Sequence, residues 1–173
     1  MKIVLITDQI YMHGGIEKVL SLKANYWADV LLHDVIILTT ENKNKEKCYS
    51  FSEKIKFVDL GIDYNRTISF FNIKNLVKVP THFFKLKNKL KELKPDIVIS
   101  YNYSYDFYFL NFINTKIPKI KEFHSSKYAE FQSPKSGLKD SILSFFSRIA
   151  EKKFSKLVVL NDDEKKFYHS EKV

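Results

Sequence analysis

The chain has 173 residues, about one ordinary domain, a length at which roughly 70% of the unfolded surface can be buried. Hydrophobic residues make up 45% and charged residues 28%, with only four glycines and four prolines, which excludes collagen-like, linker-like and disordered chains. The net charge of +9 favours anionic partners such as nucleic acid, acidic membrane or phosphorylated metabolites, although a lysine-rich proteome would produce the same excess.

Lys2 to Thr7 (KIVLIT) is a nearly continuous, β-branched apolar run, the pattern of a strand buried on both faces of a parallel sheet. A loop containing Met12-His13-Gly14-Gly15 follows. From Ile16 the period becomes helical, with Ile16, Val19, Leu20, Trp27, Val30 and Leu31 on one face and Glu17, Lys18 and Asp29 on the other. Asp34 to Thr40 is a second buried strand, which completes a βαβ unit. Lys54 to Leu60 predicts a third strand, closed by Gly61. Ile73 to Leu93 predicts a helix through Phe83, Leu86, Leu90 and Leu93, broken or restarted at Pro80. Ile97 to Tyr101 is the fourth strand, and Tyr105 to Ile113 a short helix. Pro118 to Phe123 is the fifth strand, ending at His124-Ser125-Ser126. Gly137 to Phe154 is amphipathic through Leu138, Ile142, Phe146, Ile149 and Ala150. Lys156 to Leu160 closes the series, with Asn161 or Asp162 capping a helix to Tyr168.

Strands alternating with helices predict an α/β fold: a single Rossmann-like, doubly wound domain with a mainly parallel sheet. Ligands of such sheets gather beyond the carboxyl ends of the strands. The loops at 8–15, after Thr40, at 101–105, at 124–128 and at 161–163 are therefore where chemistry is expected.

Cys48 is the sole cysteine, so neither a disulfide framework nor a cysteine metal cluster is expected. The apolar run at Ile3 to Ile6 is too short for a signal peptide, and no stretch reaches membrane-spanning length. A cytoplasmic protein, soluble or peripheral at the membrane, fits these features.

Gly14-Gly15 lets backbone approach a ligand closely, and the helix behind it presents unpaired N–H groups suited to phosphate. A tight turn into the helix explains the pair equally well. Neither G-x-G-x-x-G nor G-x-x-x-x-G-K-[ST] is present, so nicotinamide-dependent and P-loop chemistry are not supported. His124 stands at a strand tip, where it can hydrogen-bond a sugar hydroxyl or phosphate, move a proton, or simply cap the strand. Ser125 and Ser126 lack the G-x-S-x-G setting of a hydrolase nucleophile. His13, His33, His82 and His169 are scattered, which argues against a metal site. Between Lys74 and Lys94, Lys78, Lys85, Lys87, Lys89 and Lys91 alternate with Phe83, Phe84, Leu86 and Leu90, while Glu92 is the lone acid. That helix suits a solvated face or an anionic bilayer; nucleic acid is disfavoured because RNP, KH and helix-turn-helix signatures are missing.

These pieces resemble the start of the retaining GT-B glycosyltransferases of family 4. Gly14-Gly15-Ile16-Glu17-Lys18 resembles the family's glycine loop and acid–base pair, and His33-Asp34-Val35 its second strand. Lys94-Pro95-Asp96-Ile97-Val98, the strand from Ile120 to His124, and Leu157 to Asn161 follow in the same order. The resemblance implies that residues 1–173 form the N-terminal, acceptor-side domain of a retaining, hexosyltransferase-like enzyme. The C-terminal nucleotide-sugar domain would lie outside this chain, leaving it inactive alone. By the same resemblance Gly14 and Gly15 hold the donor diphosphate, His124 meets the transferred sugar, and Glu17, Lys18, Asn102 and Lys127 lie on the acceptor side. No cofactor or metal is implied beyond a nucleotide-sugar donor as substrate. Lysine excess suits a phosphorylated or lipid-linked glycan acceptor of surface polysaccharide synthesis, at an anionic membrane. Two other readings remain: a flavodoxin-like phosphate- or nucleotide-binding module, and a basic domain that binds membrane or nucleic acid without chemistry.

Overall fold

Uninterrupted apolar runs become the middle of the sheet. In a computed structural model, which describes residues 1–101, 104–127, 138–168 and 172–173, the side chains of Val4, Leu5, Ile6 and Val35 to Leu38 are almost wholly buried. They belong to β1 (Lys2–Thr7) and β2 (Asp34–Thr39). With β3 (Lys56–Asp59), β4 (Ile97–Ser100), β5 (Lys119–Glu122) and β6 (Lys156–Val158) they form one sheet of order β3-β2-β1-β4-β5-β6. Every pairing is parallel. The chain builds outward from β1 to β3, then crosses back to place β4 beside β1. The two directions of growth part between β1 and β4, the crevice where doubly wound sheets bind ligands. The doubly wound α/β fold expected from the sequence is thus present.

Residues of opposite parity feed two cores. On one face, α1 (Gly15–Asp29) lays Leu20, Ala24 and Ala28 against Ile3, Leu5, Val35, Ile37 and Ile99. On the other lie α2 (Ile73–Leu76), α3 (Val79–Leu93), α4 (Tyr105–Phe109) and α5 (Leu138–Lys153); Leu86, Leu90, Phe107 and Phe154 meet Val4, Ile6, Ile36, Leu38 and Val98 there. A short helix, α6 (Asp162–Lys165), follows β6 and is capped by the Asn161 side chain, which accepts from the Glu164 N–H.

Several predicted boundaries move. The segment from Ile73 to Leu93 is two helices, and Pro80 stands in the first turn of the second, where its missing N–H has no partner to lose. α3 ends on Lys94 in the left-handed conformation just before Pro95. The helix predicted from Tyr105 to Ile113 tightens into a 3-10 turn over Leu110–Phe112. β3 and β6 are shorter than predicted, and both are edge strands. α6 stops at Lys165 instead of reaching Tyr168. The first residue of the predicted helix 137–154 lies outside the described residues.

α1 differs most. Val30 and Leu31 are exposed beyond its end, whereas Glu17, assigned to the outer face, is buried with Ser21 and the two alanines. Small residues let the helix approach the sheet closely, so the buried face follows Ala24 and Ala28 rather than the largest side chains.

Candidate functional site

The carboxyl ends of the strands form a rim with chemistry on both faces. On the α1 face, β1 runs into a loop whose shape is set by Gln9. Its side-chain carbonyl accepts from the N–H groups of Tyr11 (2.7 Å) and Met12 (2.8 Å), and its amide donates to Glu17. A neighbouring segment pins the same loop: the Cys48 N–H donates to the Ile10 carbonyl, and the Cys48 thiol donates to the Met12 carbonyl.

Gly14 is the N-cap of α1 in extended conformation, and neither Gly14 nor Gly15 uses a positive φ. Positive φ is therefore not why this pair is glycine. A Cβ on Gly14 would collide with Glu17 Oε2, whereas one on Gly15 would meet nothing within 4 Å. Glu17, three residues into the helix, folds its carboxylate back over the helix start in the manner of a capping box, placing a negative charge at the positive end of the helix dipole. Gly14 is thus covered by an internal anion, and Gly15 is open. Lys18 is exposed, its ammonium 5.2 Å from the centre of the Tyr49 ring.

Two turns along α1, the Lys23 ammonium donates to Glu122 Oε2 at 2.8 Å. Residues of one parity in β5 face α1, so Ile120, Glu122 and His124 all point to this side. His124 Nε2 lies 3.5 Å from the same Glu122 oxygen, and its ring stacks on Tyr101 with centroids 5.3 Å apart and planes 8° from parallel. Burial alone would raise the Glu122 carboxyl, but His124 and Lys23 outweigh it and hold the group below its ordinary value. The helix behind Gly14-Gly15 and the strand tip bearing His124 therefore share one face, tied together through Glu122. Tyr101 is 2% exposed, and burial pushes its phenol far above the ordinary value.

The opposite face of the rim carries a cluster that sequence reasoning missed. Arg66 bridges Asp8, at 2.9 Å, and Glu41, whose carboxylate is fully buried. Burial raises the Glu41 carboxyl, and Arg66 only partly offsets it. Behind them, buried Asp106 sits 3.5 Å from the Ser100 hydroxyl. Burial and Asp8 raise its carboxyl; burial lowers the ammonium of Lys121, and the two partly restore one another. A pocket of ≈ 280 Å³ opens here, walled by Asp8, Arg66, Asn75, Ser104, Tyr105 and Phe70. Phe70 stacks flat on Tyr105 at 3.7 Å, and the Tyr64 hydroxyl behind them hydrogen-bonds His82 Nδ1 at 3.2 Å. A stacked aromatic wall beside amide, guanidinium, carboxylate and hydroxyl groups is suited to a ring that carries hydroxyls. The one signal available from the sequence was Lys121: a lysine alternating with Ile120 inside a central strand has to find a carboxylate partner.

Lys127 was expected on the acceptor side, yet its ammonium is 2.6 Å from Glu151 Oε1 on α5 and 3.8 Å from the Tyr168 ring centre. Its N–H donates to Glu164 Oε2 at 2.9 Å, and Ser126 donates to the other oxygen of that carboxylate. Lys127 thus anchors the loop that follows His124, with its charge already paired. Asn102 lies outside the described residues.

Buried side-chain polar atoms without a hydrogen bond, among the described residues, are Thr40 Oγ1, Glu41 Oε2, His82 Nε2, Tyr101 Oη and His124 Nε2. Thr40 and Tyr101 directly follow strand ends, Glu41 and His124 stand one residue further on, and His82 backs the pocket wall. Such groups destabilise a fold by about 1–3 kcal/mol each. Their collection along one rim leaves polar capacity there that water or a polar ligand can meet. No group of three or more histidine, cysteine, aspartate or glutamate side chains suited to a metal ion occurs among the described residues.

No family profile matches the chain, and no curated protein does. Solved structures match in fold. Over 96% of this chain, the lipopolysaccharide outer core galactosyltransferase WaaB superposes with a TM-score of 0.61 at 16% identity. Sucrose-phosphate synthase from Thermosynechococcus elongatus gives 0.67 at 11% identity, also over 96% of this chain. UDP-N-acetylglucosamine 2-epimerase from Rickettsia bellii gives 0.58 at 12%, again over 96%. The chain spans 41%, 44% and 40% of these proteins' own lengths. A transferase, a synthase and an epimerase share this architecture, so the fold alone does not select the reaction. What the comparisons establish is that residues 1–173 have the fold of one Rossmann-like half of a GT-B enzyme.

Proposed function

We propose that this chain is the acceptor-side half of a glycosyltransferase. It works on the cytoplasmic side of a membrane and moves a sugar from a nucleotide-sugar donor to a glycan or lipid-linked acceptor in surface polysaccharide assembly. The observation that carries this reading is the rim beyond β4 and β5: among the described residues Tyr101 Oη is buried without a hydrogen bond and His124 Nε2 has only its 3.5 Å contact with Glu122, on the face that also presents the open start of α1.

In this reading the Gly15 N–H and the helix dipole stabilise the leaving diphosphate with no reorganisation at the moment of reaction. Gly14 joins them once Glu17 turns aside, exchanging an internal carboxylate for the ligand's phosphate. His124, held at its edge by Glu122 and flat on Tyr101, donates to a hydroxyl of the transferred sugar. The acceptor occupies the ≈ 280 Å³ pocket, with Phe70 and Tyr105 under a sugar ring and Asp8 and Arg66 at its hydroxyls. Lys18 and Asn102 border the acceptor, and Lys127 acts by fixing the His124 loop. Transfer proceeds with retention, and a second α/β domain supplies most donor contacts, so this half alone does not turn over. No metal ion or cofactor takes part in this scheme.

The test is acceptor-dependent release of nucleoside diphosphate by the protein carrying both domains, across a panel of UDP- and GDP-sugars. Glycosylated acceptor with retained anomeric configuration is expected, and residues 1–173 alone should give none. Turnover that yields only an epimerised nucleotide sugar, with acceptor making no difference, would overturn the proposal.

A further inference from the structure

α1 carries a second apolar face that the core does not use. Leu20, Ala24 and Ala28 meet the sheet, while Val19, Leu22, Tyr26 and Val30 recur at i, i+3, i+7 and i+11 on the opposite side. Leu22 is 59% exposed, Tyr26 53% and Val30 60%, with Val19 half-buried. Eleven residues at 3.6 per turn return to within about 20° of the starting direction, so the stripe runs nearly parallel to the helix axis. Among the described residues α1 is the one long helix on its face of the sheet, a ridge whose apolar crest lies in solvent. Large apolar side chains normally scatter singly on a surface; aligned on one helical face, they indicate a partner.

Charge identifies that partner. The stripe itself holds no charged residue, although the chain carries +9, and a core free of lysine with a tyrosine at its middle has the composition of a protein interface. Its charges stand at the two ends: Lys18 in the first turn and Asp29 in the last, both exposed. Being eleven residues apart, they fall on the same flank of the helix. The Ser52 hydroxyl donates to Asp29 at 2.7 Å and Lys54 lies 3.4 Å away, yet the Asp29 side chain remains 46% exposed. Two copies of α1 laid antiparallel about a two-fold axis near residue 24 bring like flanks together. Leu22 of each copy then meets Tyr26 of the other, Val19 meets Val30, and Lys18 meets Asp29; each pair is symmetric about residue 24 to within half a residue. Such self-complementarity is what an isologous contact requires. Parallel pairing would instead set Lys18 level with Lys18 and Asp29 level with Asp29.

We infer that the outer face of α1, formed by Val19, Leu22, Tyr26 and Val30, docks antiparallel on the same face of a second copy of this chain, with Lys18 and Asp29 paired at each end. The stripe is about 17 Å long. That is short of the roughly 800 Å² per partner of a standard interface, so the dimer is weak, with a Kd on the order of tens of micromolar. The pairing does not rest on the proposed function, and it is read without turnover. Lys18 alone is common to both, and substitution of Asp29 tests the pairing without it.

The test is sedimentation velocity of the 173-residue chain at concentrations that span this Kd, where a reversible monomer–dimer equilibrium is expected. Leu22→Ser with Tyr26→Ser should raise the Kd at least about ten-fold. The thermal midpoint of the dilute protein should change little, because both side chains are already solvated. Lys18→Glu or Asp29→Lys alone should weaken pairing about five-fold or more at low salt, since two-fold symmetry doubles each contact. The two together exchange the charges and should restore it. A chain that stays monomeric throughout, or a dimer indifferent to Leu22→Ser with Tyr26→Ser, would overturn the inference. So would a doubly charge-exchanged variant that pairs no better than the single ones, which would exclude the antiparallel register. Pairing by the 173-residue chain that disappears in the two-domain protein at the same concentration would also overturn it, and would show the second domain as the occupant of this face.

Discussion

His82 gives the sharpest check on the pocket's architecture. Its side chain is fully buried; among the described residues Tyr64 is its one side-chain hydrogen-bond partner, and Nε2 has none. Burial pushes the imidazole down to about 4, while Asp8 pulls weakly the other way. The unfolded chain titrates near 6.5, so the native state resists a proton that the unfolded state accepts. Stability from neutral His82 is complete above the unfolded pKa and is lost as pH falls through the window from about 6.5 to about 4. Moving from pH 7.5 to 4.5 should then remove about 2.5 kcal/mol through this residue alone. His82→Phe fills the same space between Tyr64 and Phe109 and cannot titrate. Urea unfolding of wild type and variant at both pH values isolates the contribution, because carboxylate effects are common to both proteins. Wild type should lose about 2.5 kcal/mol more than the variant. Equal losses would mean that His82 is reached by water, and that the pocket's rear wall is not packed as described.

Other substitutions separate structure from function. Gly14→Ala must displace Glu17 from the start of α1 and break its bond to Gln9, destabilising the chain by about 1–2 kcal/mol in thermal or urea unfolding. Gly15→Ala meets open space and should leave stability level or raise it by up to about 1 kcal/mol. In the two-domain protein the proposed function predicts slower turnover, because the methyl group would stand in the space it assigns to the diphosphate. Arg66→Ala leaves buried Glu41 without its cation and should destabilise by about 2–3 kcal/mol at pH 7.5, discounted because Arg66 is itself half-exposed. That loss should shrink as pH falls, since the Glu41 carboxyl is already raised and protonates more readily once Arg66 is gone; a loss that grows on acidification would count against the arrangement. Lys23→Met should weaken the tie between α1 and the His124 loop, read as a downward shift in the thermal midpoint that lessens as Glu122 is protonated.

Much of the fold was legible because parallel sheets bury strands on both faces. Continuous runs such as Ile3–Ile6 and Val35–Leu38 have few other uses, and Pro80 and Pro95 punctuate the helices by their missing N–H groups. The buried face of α1 was misread because contact with the sheet there is made by Ala24, Ala28 and Ser21, whose small size sets the approach distance but leaves a weak apolar signal. Glu17 was placed outside because its partner, Gln9, is local in space yet belongs to a loop without a motif. The cluster of Asp8, Glu41, Arg66, Asp106 and Lys121 gathers single charges from five separate stretches of chain. No spacing announces it, and apart from Lys121 inside its strand the members look like solvated residues until the topology brings β1 beside β4. Gly14-Gly15 and His124 could be singled out because each stands at a strand-to-loop boundary; their common face became visible only through the Lys23–Glu122–His124 contact.

The central claim is that the rim around His124 touches the sugar being transferred. Its most direct measurement compares kcat of the two-domain protein with that of His124→Ala, alongside the thermal midpoints of both. The account predicts a fall in kcat of about 100-fold or more, against only a modest drop in midpoint from loss of the Tyr101 stack and the Glu122 contact. Unchanged kcat in a stably folded variant would contradict it.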